Sequence, residues 1–362
     1  MGRRRGGAVT LGAAGVLQAL AAAALFGVAS PAAKSLLSGV GPVMLAGILY
    51  LGAGLGLSVW WLARRVVADP SARPEAGLAA RDLPLLCVAV AAGGILGPVL
   101  QMIGLARTPA STASLFLNLE VVFTTLLAGL VFREHLGRRV AAGMALVVAG
   151  GVTLSWTGRL DAVPWGSLAI VGACLAWAID NNVTRRIAHR DPVQIAAVKG
   201  VIAGAFSLAL AFAAGGSWPA RGYVAGAALL GIASYGASLV LFVLALRQVG
   251  TARTIAYFSL APFVGAAVSW GALGEEVSLR AVLAALLMAA GISLLVRERH
   301  EHPHRHEATD HDHRHRHDEH HRHAHGPHDP PGSPHAHPHH HDAVVHGHRH
   351  LPDEHHRHSH GG

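Results

Sequence analysis

The chain has 362 residues, of which 52% are hydrophobic, only 14% are charged and only 6% are aromatic. This composition excludes an ordinary soluble domain, because apolar stretches of about twenty residues, the length at which a helix crosses a bilayer, recur as far as Val296. The formal net charge of +8 does not indicate a nucleic-acid partner, because the arginines fall in short segments between the apolar stretches.

The apolar stretches, bounded by Arg, Pro, Gly and Asp, predict ten membrane-spanning helices and hence an all-α polytopic membrane protein surrounded by bilayer lipid. A cleaved signal peptide is an alternative for the first stretch, which follows three arginines, but that stretch is too long and nine others follow it. In chain order the predicted spans are residues 13–37, 42–63, 82–104, 110–132, 139–157, 165–185, 192–214, 221–246, 250–272 and 279–296.

The arginines predict which way the chain crosses the membrane. Ten spans place both termini on one side, and the segments on that side carry 17 arginines as far as Arg299. The segments on the other side carry only Arg107, Arg159, Arg221 and Arg280. Because positively charged loops stay in the cytoplasm, both termini are predicted to be cytoplasmic, in the inner membrane of a bacterial cell.

The chain also contains an internal repeat. Residues 105–139 align with residues 246–280 at a shift of 141 positions, which superposes Glu134 on Glu275. The two halves are predicted as a first repeat over residues 13–157 and a second over 165–296. Each half has five spans, an odd number, so the second half enters the membrane from the opposite side. Inverted repeats are typical of secondary transporters, whose site lies between the halves near the membrane midplane.

These features resemble a known family. Two five-helix repeats, each with a fourth helix that ends in an acidic turn, are similar to the EamA-type permeases of the drug/metabolite transporter (DMT) superfamily. The two turns are Phe-Arg-Glu-His at 132–135 and Leu-Gly-Glu-Glu at 273–276, and a glycine-rich fifth helix follows each. The resemblance covers roughly residues 13–296 and implies transport of small metabolites, often outward, by alternating access.

Ionisable side chains within spans are costly, so each is a functional candidate. Glu120, beside Asn118 near the middle of span four, is predicted to exchange a proton or to bind a cationic group of the solute. The alternative is a carboxylate that is held neutral or hydrogen-bonded to a neighbouring helix for packing alone. Its counterpart in the second repeat is Ala261, and this asymmetry favours a site over a scaffold. The predicted solute pathway comprises Glu120, Asn118, Asp180, Asn181, Lys199 and Lys34.

For the other charged residues a structural role is expected, with contact to the solute as the alternative for some of them. Asp180 and Lys199 lie at similar depth in consecutive spans and are predicted to form an ion pair, with solute contact as the alternative. Lys34 is expected to extend its ammonium to the outer headgroups, with a place in the pathway as the alternative. Glu134 and Glu275 are expected to fix loops or helix ends. Pro31, Pro98 and Pro262 interrupt apolar helices and are expected to kink them.

The composition changes abruptly after Arg299. Of the 27 histidines, 25 lie between residues 300 and 360, among Asp, Glu, Arg and Pro. Such a segment cannot bury a core, so residues 300–362 are predicted to form a disordered cytoplasmic tail. It is either a metal buffer or sensor that binds Zn or Ni, or a low-complexity extension without function. The candidate metal ligands are His311, His313, His315, His317, His339, His340 and His341.

The sequence thus predicts a secondary transporter, an exporter or permease for a small organic metabolite or drug-like solute. The chain has no nucleophile elbow and no phosphate-binding loop, so we expect no enzyme activity and no required cofactor. Two alternatives remain open, a transition-metal exporter of Zn, Ni, Co or Cu and a membrane metal sensor that transports nothing. Whether the protein forms a homodimer is also open.

Overall fold

The computed structural model describes residues 5–67, 76–132, 137–156, 164–188, 190–296, 300–305, 309–315, 335–341 and 345–350. Its α-helices are α1 (Arg5–Gly27), α2 (Ala29–Leu36), α3 (Pro42–Val67), α4 (Leu83–Ala89), α5 (Gly97–Arg107), α6 (Ala110–Phe116), α7 (Leu119–Phe132), α8 (Arg138–Ser155), α9 (Trp165–Thr184), α10 (Pro192–Ala213), α11 (Arg221–Leu230), α12 (Ser238–Val249), α13 (Thr251–Phe258), α14 (Ala261–Ala272) and α15 (Leu279–Val296). Short 3-10 turns cover Ala80–Asp82 and Arg185–Ile187, and π-helical segments cover Val90–Leu96 and Gly231–Ala237.

These helices confirm the ten predicted spans. Within the described residues, ten helical segments are long and apolar enough to cross a membrane, and they begin and end within a few residues of the predicted positions. Spans two, five, six, seven and ten are α3, α8, α9, α10 and α15. Each of the other five spans is built from two helices: α1 and α2, α4 and α5, α6 and α7, α11 and α12, and α13 and α14.

The interruptions within spans recur between the two halves of the chain. The π-helical segment of span three, Val90–Leu96, has a counterpart in Gly231–Ala237 of span eight, 141 residues later. Span four breaks between Phe116 and Leu119, and span nine breaks at the corresponding place, between Phe258 and Ala261. Breaks near the middle of a span leave backbone groups unpaired where only protein or an enclosed cavity can satisfy them.

Prolines mark three of these interruptions, as the sequence predicts. Pro31 is the third residue of α2, and Pro98 and Pro262 are the second residues of α5 and α14. The first turn of a helix tolerates proline, because N–H groups in that turn have no partner within the helix and proline lacks only this group. Each proline therefore fixes the start of the second half of its span.

Every main helix contact joins the first half of the chain to the second. The packed pairs are α3 with α10, α8 with α15, α1 with α12, α5 with α9, and α6 with α14. Gly54 and Gly200 allow the first of these contacts, since a Cβ atom added at Gly200 would lie 2.7 Å from the Gly54 Cα atom. The Gly-x-x-x-Gly pattern of Gly200 and Gly204 thus serves packing within the chain.

The tail contains four short strands, β1 (His300–Arg305), β2 (Thr309–His315), β3 (His335–His341) and β4 (Val345–His350). They form two antiparallel pairs, β1 with β4 and β2 with β3. The composition predicts a disordered tail, and for residues 300–362 as a whole this stays a prediction. Antiparallel pairing requires only backbone N–H and C=O groups, which a polar chain without a core also supplies.

Candidate functional site

The break in span four places Glu120 near the middle of the bundle. Helix α6 ends at Phe116 and α7 begins at Leu119, so Glu120 lies in the first turn of α7. The partial positive charge of a helix N-terminus stabilises a carboxylate at this position. The Glu120 side chain is half-buried.

Span six holds this break through polar side chains on α9. The Asn181 amide donates to the Glu120 carboxylate, with 2.7 Å between Nδ2 and Oε1. The Cys174 thiol lies 3.4 Å from the Phe116 carbonyl oxygen, which is freed by the end of α6. One turn beyond Glu120, the Asn182 amide donates to the Thr124 carbonyl at 3.2 Å. The two helices are thus joined along the break, and Glu120 is the ionisable group at this junction.

The Glu120–Asn181 pair is accessible from inside the bundle. Asn181 follows Cys174 by seven residues and Trp177 by four, so the three share one helical face. Cys174 and Trp177 are buried, yet Asn181 is exposed. The lipid-facing side of α9 is a different one, marked by the exposed Leu175 and Ile179. The exposure of Asn181 therefore reflects an opening between helices.

Spans four and nine pack differently at the two ends of the bundle. We define the arginine-rich end as the end that carries Arg64, Arg65, Arg138 and Arg139, and the other as the opposite end. At the opposite end the two spans pack against each other through α6 and α14. Toward the arginine-rich end they separate, because α7 packs against α9 and α8 while α13 packs mainly against α1 and α12.

Asp180 and Lys199 form the predicted ion pair, with 2.5 Å between Oδ2 and Nζ. The second Asp180 oxygen accepts a hydrogen bond from the Thr184 hydroxyl at 2.9 Å. Asp180 is buried, so both of its oxygens are satisfied within the protein. The positive charge of Lys199 and the Thr184 hydroxyl stabilise the buried Asp180 carboxylate, which would be costly to bury alone.

The π-helical segment of span three lies against this ion pair. A Cβ atom at Gly93 would collide with the Asp180 carboxylate, so only glycine permits the approach. The Gly97 N–H donates to the Ala92 carbonyl, five residues earlier in the chain. In the same pattern residue 98 would donate to the Gly93 carbonyl, but residue 98 is proline and has no N–H. The Gly93 carbonyl instead accepts from the Tyr50 hydroxyl at 3.2 Å and the Trp177 indole at 3.0 Å.

Two candidates from the sequence bind backbone in the structure. Asn118 is buried in the break of span four, where its amide donates to the Leu115 carbonyl at 3.0 Å and lies 3.6 Å from the Met288 sulfur. The Lys34 ammonium lies at one end of span three, and its extension to the outer headgroups stays a prediction. It donates to the Leu105 and Thr108 carbonyls, at 2.7 and 3.0 Å, at the end of span three.

Sequence reasoning missed Tyr50, Trp177 and Gln101. The Gln101 side chain is buried, 3.4 Å from the Ser30 hydroxyl and 3.5 Å from the Tyr235 hydroxyl. The signal that could have identified these residues is a polar group within an apolar helix, which must find a partner there. None of the three side chains carries a charge at neutral pH, so the cost of burying a charge did not identify them.

The candidate tail ligands fall partly on the strands. His311, His313 and His315 belong to β2, and residues 339–341 belong to β3, with His311 paired to His339 and His313 to His337 in the backbone register. His317 lies outside the described residues, as does Glu134. In the part of the chain that the structure describes, no three His, Cys, Asp or Glu side chains come together as a metal site.

Comparison with known proteins gives a consistent result. The EamA-like transporter family matches the chain twice, over residues 13–156 and 164–297. The chain is 27% identical over 293 residues to an "Uncharacterized transporter" of Methanothermobacter thermautotrophicus, covering 78% of this chain and 85% of that protein. It is 27% identical over 253 residues to the "Probable terminal-alkyne amino-acid exporter" of Streptantibioticus cattleyicolor, covering 68% and 84%.

A solved crystal structure supports the fold. It superposes with a TM-score of 0.57 at 21% identity and covers 78% of this chain and 97% of the other, so the likeness concerns the fold alone. The ten apolar spans describe a multi-pass membrane protein. With the double family match over most of the spanning region, the chain belongs to the EamA-like transporter family and is a transporter of the drug/metabolite type.

Proposed function

We propose that this transporter moves a small organic solute by alternating access, with Glu120 as the central group of its site. The observation that carries the proposal is the Glu120–Asn181 pair, which combines a carboxylate at a mid-membrane helix break with an amide exposed inside the bundle. A carboxylate in such a place binds a cationic group or exchanges a proton, and either role couples it to a moving solute.

The matched interruptions support two inverted repeats, over residues 13–157 and 165–296. Spans three and eight carry π-helical segments at the same relative position, and spans four and nine break at the same relative position. Discontinuous helices at the interface between inverted repeats are where secondary transporters build their sites. Glu120 lies at one such break, and its counterpart Ala261 lies at the other.

The solute that fits best carries an amino group. Glu120 offers a carboxylate acceptor and Asn181 offers both a donor and an acceptor, a pair suited to an ammonium beside a second polar group. One relative is named as an amino-acid exporter, which supports both this class of solute and the outward direction. We assign Asp180 and Lys199 to a supporting ion pair, and Asn118 and Lys34 to the helix ends that they bind.

The function is tested by comparing cells that express the protein with cells that carry an empty vector. Untargeted mass spectrometry of cells and medium should show an amine-bearing organic solute depleted inside and enriched outside. Elemental analysis of the same samples should show unchanged Zn, Ni, Co and Cu. The responding solute is then tested for flux into vesicles that contain the purified protein. A change in metals alone would contradict the proposal, as would vesicles through which no solute moves.

We further propose that both termini are cytoplasmic, so that the arginine-rich end faces the cytoplasm and the present opening faces inward. Of the described arginines, Arg107, Arg221 and Arg280 lie at the opposite end, and most of the others lie at the arginine-rich end. The Trp156 backbone carbonyl, at the opposite end, accepts a hydrogen bond from Arg280 at 2.7 Å.

The orientation predicts the behaviour of fused reporters. Green fluorescent protein attached after Val296 should fluoresce, and alkaline phosphatase attached there should be inactive, because the first matures in the cytoplasm and the second outside it. Fusions after Trp156, five spans along the chain, should give the reverse pattern and serve as the matched control. Phosphatase activity after Val296 would contradict the orientation.

We also propose that the His-rich tail is a detachable metal-binding segment. Its 25 histidines offer many imidazole ligands, and the pairing of β2 with β3 places His311 opposite His339 and His313 opposite His337. Neutral imidazole is a good ligand for Zn and Ni. A polar segment that follows the last span cannot supply a mid-membrane site, so the tail is assigned to metal binding and not to transport.

A further inference from the structure

We propose that Glu275 is the gating residue that holds the opposite end of the transporter closed, an inference that rests on the alternating-access function proposed above. Glu275 lies in the loop between spans nine and ten. Its two carboxylate oxygens accept hydrogen bonds from the Ala110 and Ser111 backbone N–H groups, at 2.6 and 2.9 Å. A loop in the second half of the chain is thus hydrogen-bonded to the first turn of span four in the first half.

The local sequence explains why span four needs this contact. The first N–H groups of a helix have no partner within the helix and are usually bound by the side chain of the preceding residue. Here the preceding residue is Pro109, whose side chain makes no such bond. A carboxylate at this position also complements the positive end of the helix dipole. Glu275 therefore supplies a cap that the sequence around span four lacks.

Two features direct Glu275 to this position. Gly274 has φ of +65°, a conformation that side-chain-bearing residues rarely adopt, and it turns the chain back after α14. The Glu275 backbone N–H bonds to the Ser269 carbonyl at 3.3 Å, which anchors the turn to the end of α14. The carboxylate is thus fixed to span nine when it binds span four.

Lys34 binds the other side of the same turn. Its ammonium donates to the carbonyls of Leu105 and Thr108, at the C-terminal end of span three, where a cation complements the helix dipole. The connection between spans three and four is therefore held by a cation from span one on one side and by Glu275 on the other. Of these two contacts, only the Glu275 contact links spans four and nine.

The contact between α6 and α14 makes this link a gate. The two helices approach so closely that a Cβ atom at Gly265 would lie 2.6 Å from the Ser114 hydroxyl. Access to Glu120 from the opposite end requires α6 and α14 to separate. That separation breaks both Glu275 hydrogen bonds, so their strength sets how often the opposite end opens.

The gate is tested by cysteine labelling at Ser114. Ser114 is 1% exposed, and among the described residues its hydroxyl has no hydrogen-bond partner, so Ser114→Cys loses no side-chain hydrogen bond and is protected while the gate is closed. The exposed Cys87 is replaced by serine, and the buried native Cys174 is kept as a reporter of unfolding. The full chain in lipid nanodiscs is treated with a polar maleimide, which reaches both faces, and labelling at each site is followed by peptide mass spectrometry.

We expect Glu275→Gln to speed labelling of Ser114→Cys about tenfold, which corresponds to about 1.4 kcal/mol in the opening equilibrium. Glu275→Asp, which keeps the charge but shortens the side chain, should give an intermediate rate. Glu276→Gln is the matched control, since Glu276 is exposed and adjacent, and it should leave the rate unchanged. Cys174 should stay protected in all variants.

Two results would overturn the gate. The first is equal labelling of Ser114→Cys in the Glu275→Gln and Glu276→Gln variants. The second is faster labelling of Cys174 together with Ser114→Cys, which would make Glu275 a general stabiliser of the fold. Because labelling requires no solute, it is independent of the transport assay. A protein that moves no solute but shows the expected labelling would contradict the proposed function and leave the Glu275 contact as a conformational lock.

Discussion

Glu120→Gln is expected to abolish most transport while leaving folding and membrane insertion intact. Glutamine keeps the oxygen that accepts from Asn181 at 2.7 Å, so the junction between α7 and α9 is retained. It loses the negative charge that binds an ammonium or exchanges a proton. A hydrogen bond to a charged group contributes about 1.5–3 kcal/mol, so the loss corresponds to about a ten- to hundredfold decrease in transport.

The measurement is solute flux into vesicles at several pH values, normalised to the amount of protein inserted. Glu276→Gln provides the matched control, because it makes the same chemical change at an exposed position outside the spans. If the solute itself binds elsewhere, Glu120→Gln should still remove the dependence of flux on pH. Normal flux at all pH values would show that Glu120 is a packing group.

Truncation after Arg299 is expected to abolish most binding to an immobilised Zn or Ni column. It removes 25 of the 27 histidines and leaves His135 and His189. Binding by the full chain should weaken as the pH falls below about 6.5, the unperturbed imidazole pKa, because protons then compete with the metal for the ring nitrogen. Column retention of the full and truncated chains, measured across this pH range, tests the prediction.

The same truncation should leave transport intact. The spanning helices end at Val296, and the helix contacts described above lie within the ten spans, so removing the tail takes no part of the proposed site. Flux and membrane abundance of the truncated chain should therefore match those of the full chain. Loss of all transport at unchanged abundance would favour the metal-exporter alternative.

The sequence by itself determined the spans. Hydropathy and helix length are properties of each segment alone, so ten spans could be predicted and are confirmed within a few residues at most ends. The prolines likewise predicted three interruptions, since proline acts on its own helix. The π-helical segments were not predicted, because their stability depends on what the neighbouring helices place against Gly93 and Gly231.

The tertiary structure decided what the polar residues contact. The sequence singled out Glu120 from its position in a span, but only the packing of α9 on α7 shows that Asn181 is its partner. Asn118, also predicted to lie in the pathway, is buried in the helix break and donates to the Leu115 carbonyl. Asn118 lies in the break before α7 and Glu120 lies in the first turn of α7, so proximity in sequence does not place two side chains in one cavity.

At the helix ends, too, the sequence identified the charged residues and the tertiary structure decided their partners. The sequence identified Lys34 and Glu275 as charges near span ends, and the expectation that Glu275 fixes a helix end agrees with its contacts. Nothing in the sequence indicated that both bind the turn between spans three and four, 71 and 165 residues away along the chain. Contacts at such separations depend on how whole helices pack, which composition and periodicity do not encode, so only the folded bundle could place these two charges on one turn.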